Sequence, residues 1–516
     1  MRRITTLPLY PFLAAGFPVV FLYAQNVQEA IPPFDVLLPV GLSLGIALLA
    51  LLIFRALLRS WEAAALIATL LVALFFTYGM AWQWFGQTLW HGHWVLAGAS
   101  ALLAVIGIWS FRRLVAWAPR LTVPLNAVGG VLLAVNVIVI GAFFLNVRPT
   151  VAVTGPGLTM SPEPAPGQTL PDIYWVILDR YGSGNVLDKY FDYDNSPFLD
   201  ALRGRGFYIA EHATANYLKT ALSMDSSRNM EYLDFVKLHM GAKTEHDWGP
   251  LYGGLSASFQ VQHYLGTAGY RFIYLGSYWR PTATHPLAEI NYVYHQGRSE
   301  FLDVLMSSTM LSMLQDLGGE APISFRQHMW DLSRYEWDSL KRASGLGGPK
   351  FVHVHFLLPH PPYVFHADGS YVSANEEHDR PEKVNYVDQL GFTNAQVLGW
   401  LDSLLAVPPD QRPIVIIQAD EGPFPPRYAR DELAFDWTTA TPEELEHKFG
   451  ILSAFYVPGK TPREAGLYDS ITPVNQFRAI FHAYFGLDLP ILPDRNWIFT
   501  KQSLYDEIDV TDKVHR

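Results

Sequence analysis

"DIYWVILDRYG", residues 172–182, is a run of apolar and aromatic residues that stops on an aspartate, an arginine and a glycine. Continuous hydrophobicity, without polar alternation, marks a strand buried on both faces, as in the middle of a parallel sheet. Four more runs share that character: "RFIYL" (271–275), "FVHVHFLL" (351–358), "PIVIIQ" (413–418) and "LSAFYV" (452–457). Segments 195–204, 257–268, 324–342, 387–406 and 472–485 read as helices between and after them. Strands alternating with helices over residues 171–516 predict one α/β domain with a mostly parallel sheet and helices on both sides. In such sheets ligands bind beyond the carboxyl ends of the strands, so strand-end residues are the ones to inspect.

The chain upstream is different. Five apolar stretches, roughly 8–25, 35–54, 62–81, 93–110 and 124–146, approach the ~20 residues a helix needs to cross ~30 Å of hydrocarbon. Residues 1–148 are therefore expected to form a membrane domain of five transmembrane helices. Arg2 and Arg3 precede the first stretch, Arg55 and Arg59 follow the second, and Arg112, Arg113 and Arg120 follow the fourth. The other two connections lack Lys and Arg. The positive-inside rule then puts the N-terminus in the cytoplasm and, after five spans, everything beyond Val147 outside. Trp82, Trp84, Trp90 and Trp94 fall at the outer interface, where indole rings are favoured. Residues 149–170, rich in Pro, Gly and Thr, read as a semi-extended linker. The expected setting is a cell membrane, multi-pass, with an extracytoplasmic C-terminal domain.

Composition removes several functions. A formal net charge of −11 gives no footprint for nucleic acid, and the absence of cysteine excludes disulfides, thiolate metal sites and a cysteine nucleophile. No P-loop, G-x-S-x-G elbow or dinucleotide fingerprint is present.

What remains is a set of polar residues at strand ends. Asp179 closes the first strand; Thr220, in "NYLKTALSM", opens a helix; His360, in "LLPHPPY", follows the third; Asp420 and Glu421 end "IVIIQADEGPF". Singly, each fits a cap, a turn or a packed side chain. Together, carboxylates converging at a sheet edge would repel unless a cation sat among them, and a hydroxyl beside that cation would be activated as a nucleophile.

The motifs "IYWVILDRYG", "FLDALRGRGFYIAEHATANYLKTALSM", "FVHVHFLLPHPPYVF" and "IVIIQADEGPF" make most of 171–485 resemble the sulfatase-type branch of the alkaline phosphatase superfamily. Within it the chain resembles membrane-anchored lipoteichoic acid synthases and phosphoethanolamine transferases, which also carry five transmembrane helices before an extracytoplasmic domain. The resemblance implies Asp179 and Asp420 as metal ligands, Thr220 as nucleophile and ligand, and His360 on the substrate or leaving group. The formylglycine sulfatase pattern is absent. Where the family has a histidine after the ligand aspartate, this chain has Glu421. Either Glu421 completes an all-oxygen site, which favours one Mg²⁺ or Mn²⁺ over Zn²⁺ and admits Ca²⁺, or it marks a site that has lost its metal.

Lys219, Arg180, Arg228 and Arg427 are the nearest candidates to offset the added negative charge, and Lys219, His355, Trp279 and Arg280 are substrate-binding candidates. His285, on the same loop as Trp279 and Arg280, either joins them at a substrate pocket or belongs to a packed loop, and His353 is expected as a hydrogen-bonded core histidine. The expected function is a metal-dependent phosphoryl or sulfuryl ester hydrolase or transferase acting on a membrane lipid or lipid-linked envelope polymer. Its rivals are a non-catalytic envelope protein that binds a glycan or partner, and a phosphatase for soluble esters whose membrane part is only an anchor.

Overall fold

The structure, a computed structural model, describes residues 7–29, 31–85, 92–146, 170–234, 236, 248–294, 299–313, 325–432 and 434–515. Arg2, Arg3, Trp90 and nearly all of the linker lie outside these residues, as do the side chains of Arg112 and Arg113. The chain divides into two units, Met1–Arg148 with Gln296–Phe325, and Pro149–His295 with Arg326–Arg516.

The first unit is built from α1 (Tyr10–Gln25), α2 (Pro33–Leu58), α3 (Trp61–Phe85), α4 (Gly92–Trp109) and α5 (Phe111–Asn146). Four of these are long and apolar enough to cross a membrane: Phe34–Leu58, Trp61–Trp82, Gly92–Trp109 and Trp117–Leu145. The fifth, α1, is apolar but has 16 residues, ~24 Å at 1.5 Å per residue, short of the span expected from sequence. Leu57, Leu102, Val131 and Ile138 are each 60% exposed or more. Apolar surface on that scale is costly against water and ordinary against lipid tails, so it identifies the unit as a membrane domain. Inside, small residues allow close helix packing: Ala64, Ala65 and Ala68 of α3 cluster with Tyr10 and Leu51.

Residues 299–313 belong to this helical unit. Phe301 and Leu305, one turn apart on the helix Glu300–Ser307, pack with Val19, Tyr23, Ile31 and Val36. Beyond them the Gly79 amide donates to the Ser308 carbonyl at 3.1 Å and the Met310 amide to the Phe75 carbonyl at 2.9 Å. A Cβ on Gly79 would meet the Ser307 carbonyl at 2.2 Å, so only glycine admits this approach. Reading 171–516 as one uninterrupted domain does not anticipate the excursion.

The second unit holds a seven-stranded sheet of β1 (Ile173–Leu178), β2 (Tyr208–Ile209), β3 (Arg271–Leu275), β4 (Ile290–Tyr292), β5 (Lys350–Phe356), β6 (Ile414–Gln418) and β7 (Ser453–Tyr456). The order is β2-β7-β6-β1-β5-β3-β4. Strands β6, β1, β5, β3 and β4 run parallel; β7 is reversed, pairing antiparallel with β6 on one side and with the edge strand β2 on the other. The five strands expected from sequence are all present, with the short β2 and β4 added.

The central β1 shows why its sequence is continuously apolar. Trp175 packs edge-on against Phe477 of the helix Pro473–Phe485, while its neighbour Tyr174 meets Trp400 of the helix Glu382–Leu404. Successive residues point to opposite faces, and both faces are covered by helices. In register, Leu178 stands opposite Phe356 of β5 and Ile177 opposite Gln418 of β6. The carboxyl ends of three neighbouring strands therefore finish at one level.

Candidate metal centre

Asp179 is the residue after β1, and its amide donates to the Phe356 carbonyl at 3.0 Å, continuing the ladder by one step. The chain then turns through Arg180, whose φ of +64° lies in the left-handed region that non-glycine residues avoid. Tyr386 clamps that turn: its hydroxyl accepts from the Gly182 amide at 3.2 Å and donates to the Arg180 carbonyl at 2.9 Å.

Asp420 lies two residues beyond β6. The first turn of α6 (Thr220–Asn229) is tied to it through Ser223, whose hydroxyl donates to the Asp420 carbonyl at 2.6 Å. This docks Thr220, the first residue of α6, against the Asp420 carboxyl. The Thr220 hydroxyl is near enough to favour the ionised carboxylate, yet neither Asp420 oxygen reaches hydrogen-bond geometry. Thr220 is half-buried.

His355, on β5, is completely buried; its Nδ1 contacts the Thr282 hydroxyl at 3.4 Å and its Nε2 faces Asp179 Oδ2 at 4.0 Å. Among the described residues, Asp179, His355 and Asp420 form the one group of three acidic or imidazole side chains able to hold a metal ion, with ligand atoms within 4.8 Å of one another. Bonds of ~2.0–2.2 Å to nitrogen and oxygen close that span with small side-chain movement. The donors also lack hydrogen bonds: Asp179 Oδ1, both Asp420 oxygens and His355 Nε2 are buried without one. Buried polar atoms are normally satisfied, so orphaned atoms on all three residues of one cluster fit a cation.

The electrostatics agree. Burial, then the charges of Asp420 and Glu421, push the Asp179 carboxyl well above the usual range. Burial, then Glu421, raise Asp420 to about 6. His355 falls to about 3 through burial and the nearby Arg228 cation, which leaves its imidazole neutral and able to ligate. Carboxylates that resist ionisation alone become ionised beside a divalent cation.

Glu421 has a different environment. Its Oε1 accepts from Arg180 Nε at 3.2 Å and lies 3.0 Å from Lys448 Nζ. Lys448 is fully buried and also donates to the Gly422 carbonyl at 3.1 Å. Gly422 permits this proximity, since a Cβ there would meet the Lys448 carbonyl at 2.6 Å. Arg180 lies 3.9 Å from Asp179 and packs over the Phe424 ring. Lys448 escapes sequence reading because it lies in the last turn of a helix, Pro442–Phe449, ahead of the amino end of β7 and not after the carboxyl end of a strand.

The other candidates separate. His360 is partly exposed, with Nε2 4.0 Å from Asp179 Oδ2 and Nδ1 bonded to the Pro361 carbonyl. Burial and the Arg180 cation hold it well below the usual histidine range. Lys219 precedes Thr220 and pairs with Tyr428 and Glu432. Trp279 packs edge-on against Tyr252 and Arg280 opens a short 3₁₀ turn; that loop meets the cluster through Thr282. Arg427 pairs with Glu444 on the surface. Arg228, His353 and His285 are buried core groups, Arg228 contacting His353 at 3.4 Å.

No protein-family model and no curated protein matches the chain. Among solved structures it is similar to the integral membrane lipooligosaccharide phosphoethanolamine transferase A (EptA) from Neisseria meningitidis. The identity is 12%, the TM-score 0.43, and the match covers 92% of this chain and 95% of that one. The C-terminal periplasmic domain of EcEptC from Escherichia coli, in complex with Zn, is 13% identical with a TM-score of 0.40, over 67% of this chain and 94% of that one. An alkaline phosphatase superfamily protein from Vibrio parahaemolyticus is 16% identical with a TM-score of 0.38, over 68% and 79%.

At such likeness the chemistry has to be read from this chain's own side chains. Its fold and site define a class: a helical membrane unit and an α/β domain whose central parallel strands end on a carboxylate–imidazole cluster.

Proposed function

We propose that the chain is a membrane-anchored, metal-dependent ester hydrolase or transferase that moves a phosphoryl group, or a sulfuryl group of the same tetrahedral shape, through Thr220. The observation that carries this reading is the convergence of Asp179, His355 and Asp420 at three adjacent strand ends, with Thr220 docked against Asp420.

Asp179, His355 and Asp420 would hold one divalent cation, with Thr220 alongside. When bound, that cation supplies Lewis-acid polarisation and favours the alkoxide form of a neighbouring hydroxyl. The Thr220 hydroxyl gives up its proton to the neutral His360 imidazole or to water, its oxygen attacks phosphorus, the bond to the leaving oxygen breaks, and the group rests on Thr220 as a phosphothreonine. His360, beside Asp179 at the accessible end of the site, binds the transferring group or passes that proton on to the leaving oxygen. Arg180 and Lys219 place positive charge where the group's oxygens gather. A hydroxyl of an envelope lipid or glycan, or water, then takes the group from Thr220. A histidine nitrogen in the ligand set moves the expected ion from Mg²⁺ and Ca²⁺ towards Zn²⁺ or Mn²⁺.

A membrane-embedded helical unit suits a substrate that is itself a lipid or lipid-linked polymer, and the arginines at 55, 59 and 120 favour an α/β domain outside the cytoplasm. The test is metal analysis of the purified chain with capture of the intermediate. Wild-type protein should carry about one divalent ion per chain and yield phosphorylated Thr220 during turnover of a lipid-linked phosphodiester, and Thr220→Ala should yield none. Protein that binds no metal and cleaves no ester would instead be a non-catalytic envelope protein.

A further inference from the structure

The acidic pair Asp420–Glu421 contributes one residue to the cluster and diverts the other. We infer that Lys448 is a positioning residue that holds Glu421 away from the cation and so sets which metals the site accepts. This rests on the metal reading above.

The geometry is specific to Lys448. The Gly422 amide donates to the Lys448 carbonyl at 2.8 Å, while Lys448 Nζ donates to the Gly422 carbonyl at 3.1 Å. The lysine is thus strapped to the turn that follows Glu421 by both its backbone and its side chain. Its helix is fixed at the other end by a capping box between Thr441 and Glu444. The ammonium lies 4.5 Å from the Phe424 ring centre and 5.9 Å from that of Tyr428, rings that shield it from water and favour its charge. From there it sits 3.0 Å from Glu421 Oε1, and Arg180 reaches the same oxygen at 3.2 Å. Two fixed cations hold Glu421 by Oε1, and the residue stands outside the group of ligand atoms that lie within 4.8 Å of one another, while its Oε2 is buried without a hydrogen bond.

The consequence is chemical. With Glu421 engaged, the donors left for a cation are two carboxylates and the His355 imidazole, a mixed set that suits Zn²⁺ or Mn²⁺. Were Glu421 released, a third carboxylate would enter beside Asp420 and the site would become harder and more negative, which suits Ca²⁺ and Mg²⁺. Lys448, with Arg180 on the same oxygen, therefore decides whether the acidic pair serves as one ligand or two.

Full-length protein in detergent, stripped and titrated calorimetrically with Zn²⁺, Mg²⁺ and Ca²⁺ separately, tests this without any activity readout. Glu421→Gln should leave Zn²⁺ affinity within about threefold of wild type, while Asp420→Asn lowers it ~100-fold. Lys448→Met should shift the Ca²⁺-to-Zn²⁺ affinity ratio upward by ~10-fold or more, Lys448→Arg should preserve the wild-type ratio, and Lys448→Met with Glu421→Gln should restore it. A merely structural lysine would lower affinity for all three ions together. The inference is overturned if Glu421→Gln costs as much Zn²⁺ affinity as Asp420→Asn, or if folded Lys448→Met keeps the wild-type ratio. Should Lys448→Met fail to fold, the isosteric Glu421→Gln comparison decides alone. Wild-type protein that binds none of the three ions overturns the metal reading itself, an outcome distinct from a bound ion with Glu421 among its ligands.

Discussion

His355 Nε2 and Asp179 Oδ2 face each other at 4.0 Å across the carboxyl ends of β5 and β1, too far for a hydrogen bond and close enough to share an ion. Two neighbouring parallel strands thereby present a neutral nitrogen and an acidic oxygen to one point.

His355 and His360 both stand 4.0 Å from Asp179 Oδ2, one buried on β5 and the other partly exposed, and the proposed function gives them different work. His355→Ala should lower metal affinity ~10–100-fold, measured by metal analysis after dialysis. His360→Ala should keep the metal and lower kcat ~10²-fold or more, measured on a phosphodiester at saturating metal. Equal metal loss in both variants would contradict the assignment.

Tyr386 holds the left-handed turn at Arg180 through two hydrogen bonds of its hydroxyl. Tyr386→Phe leaves the ring in place and the Gly182 amide unpaired, which should cost ~1–3 kcal/mol. Because the turn orients Asp179, metal affinity should fall as well, by ~10-fold. Chemical denaturation and metal titration of the same variant measure the two effects.

Gly422→Ala puts a methyl 2.6 Å from the Lys448 carbonyl and 2.8 Å from that of His447. Backbone on that side cannot rotate away as a side chain would, so a loss of ~1–3 kcal/mol is expected from overpacking. A melting temperature equal to wild type would show that the turn has room that the geometry denies.

Glu336, on the helix Phe325–Ser344, is buried, and desolvation raises its carboxyl well above the usual range. The folded state then holds a proton that the unfolded chain releases near its ordinary value. Between the ordinary carboxylate value and the raised one, the folded form binds more protons, so stability falls as pH rises. Glu336→Gln should remove that slope and raise the melting temperature at pH 8 by a few degrees relative to wild type, with little difference at pH 4. Thermal melts of both proteins at the two pH values decide it.

Much of this architecture follows from local sequence. Apolar length alone marks the membrane helices, because hydrocarbon demands ~20 residues whatever surrounds them; α1, at 16 residues, is where that rule stops short. Unbroken hydrophobicity in β1, β5 and β6 announces a sheet covered on both faces, and the ends of those strands pick out Asp179, His360 and Asp420. The excursion 299–313 left no comparable mark, since its contacts are made by two apolar side chains and a few backbone groups that any short helix could offer.

Which carboxylate could meet a cation was beyond sequence. Asp420 and Glu421 are neighbours with the same chemistry, and composition cannot tell them apart. Their environments do: Glu421 meets Arg180 from one loop and Lys448 from a helix end 27 residues on, while Asp420 is left open towards Asp179 and His355. Local patterns are set by periodicity and chain length, whereas the partner of a buried charge is set by whatever distant segment folds against it.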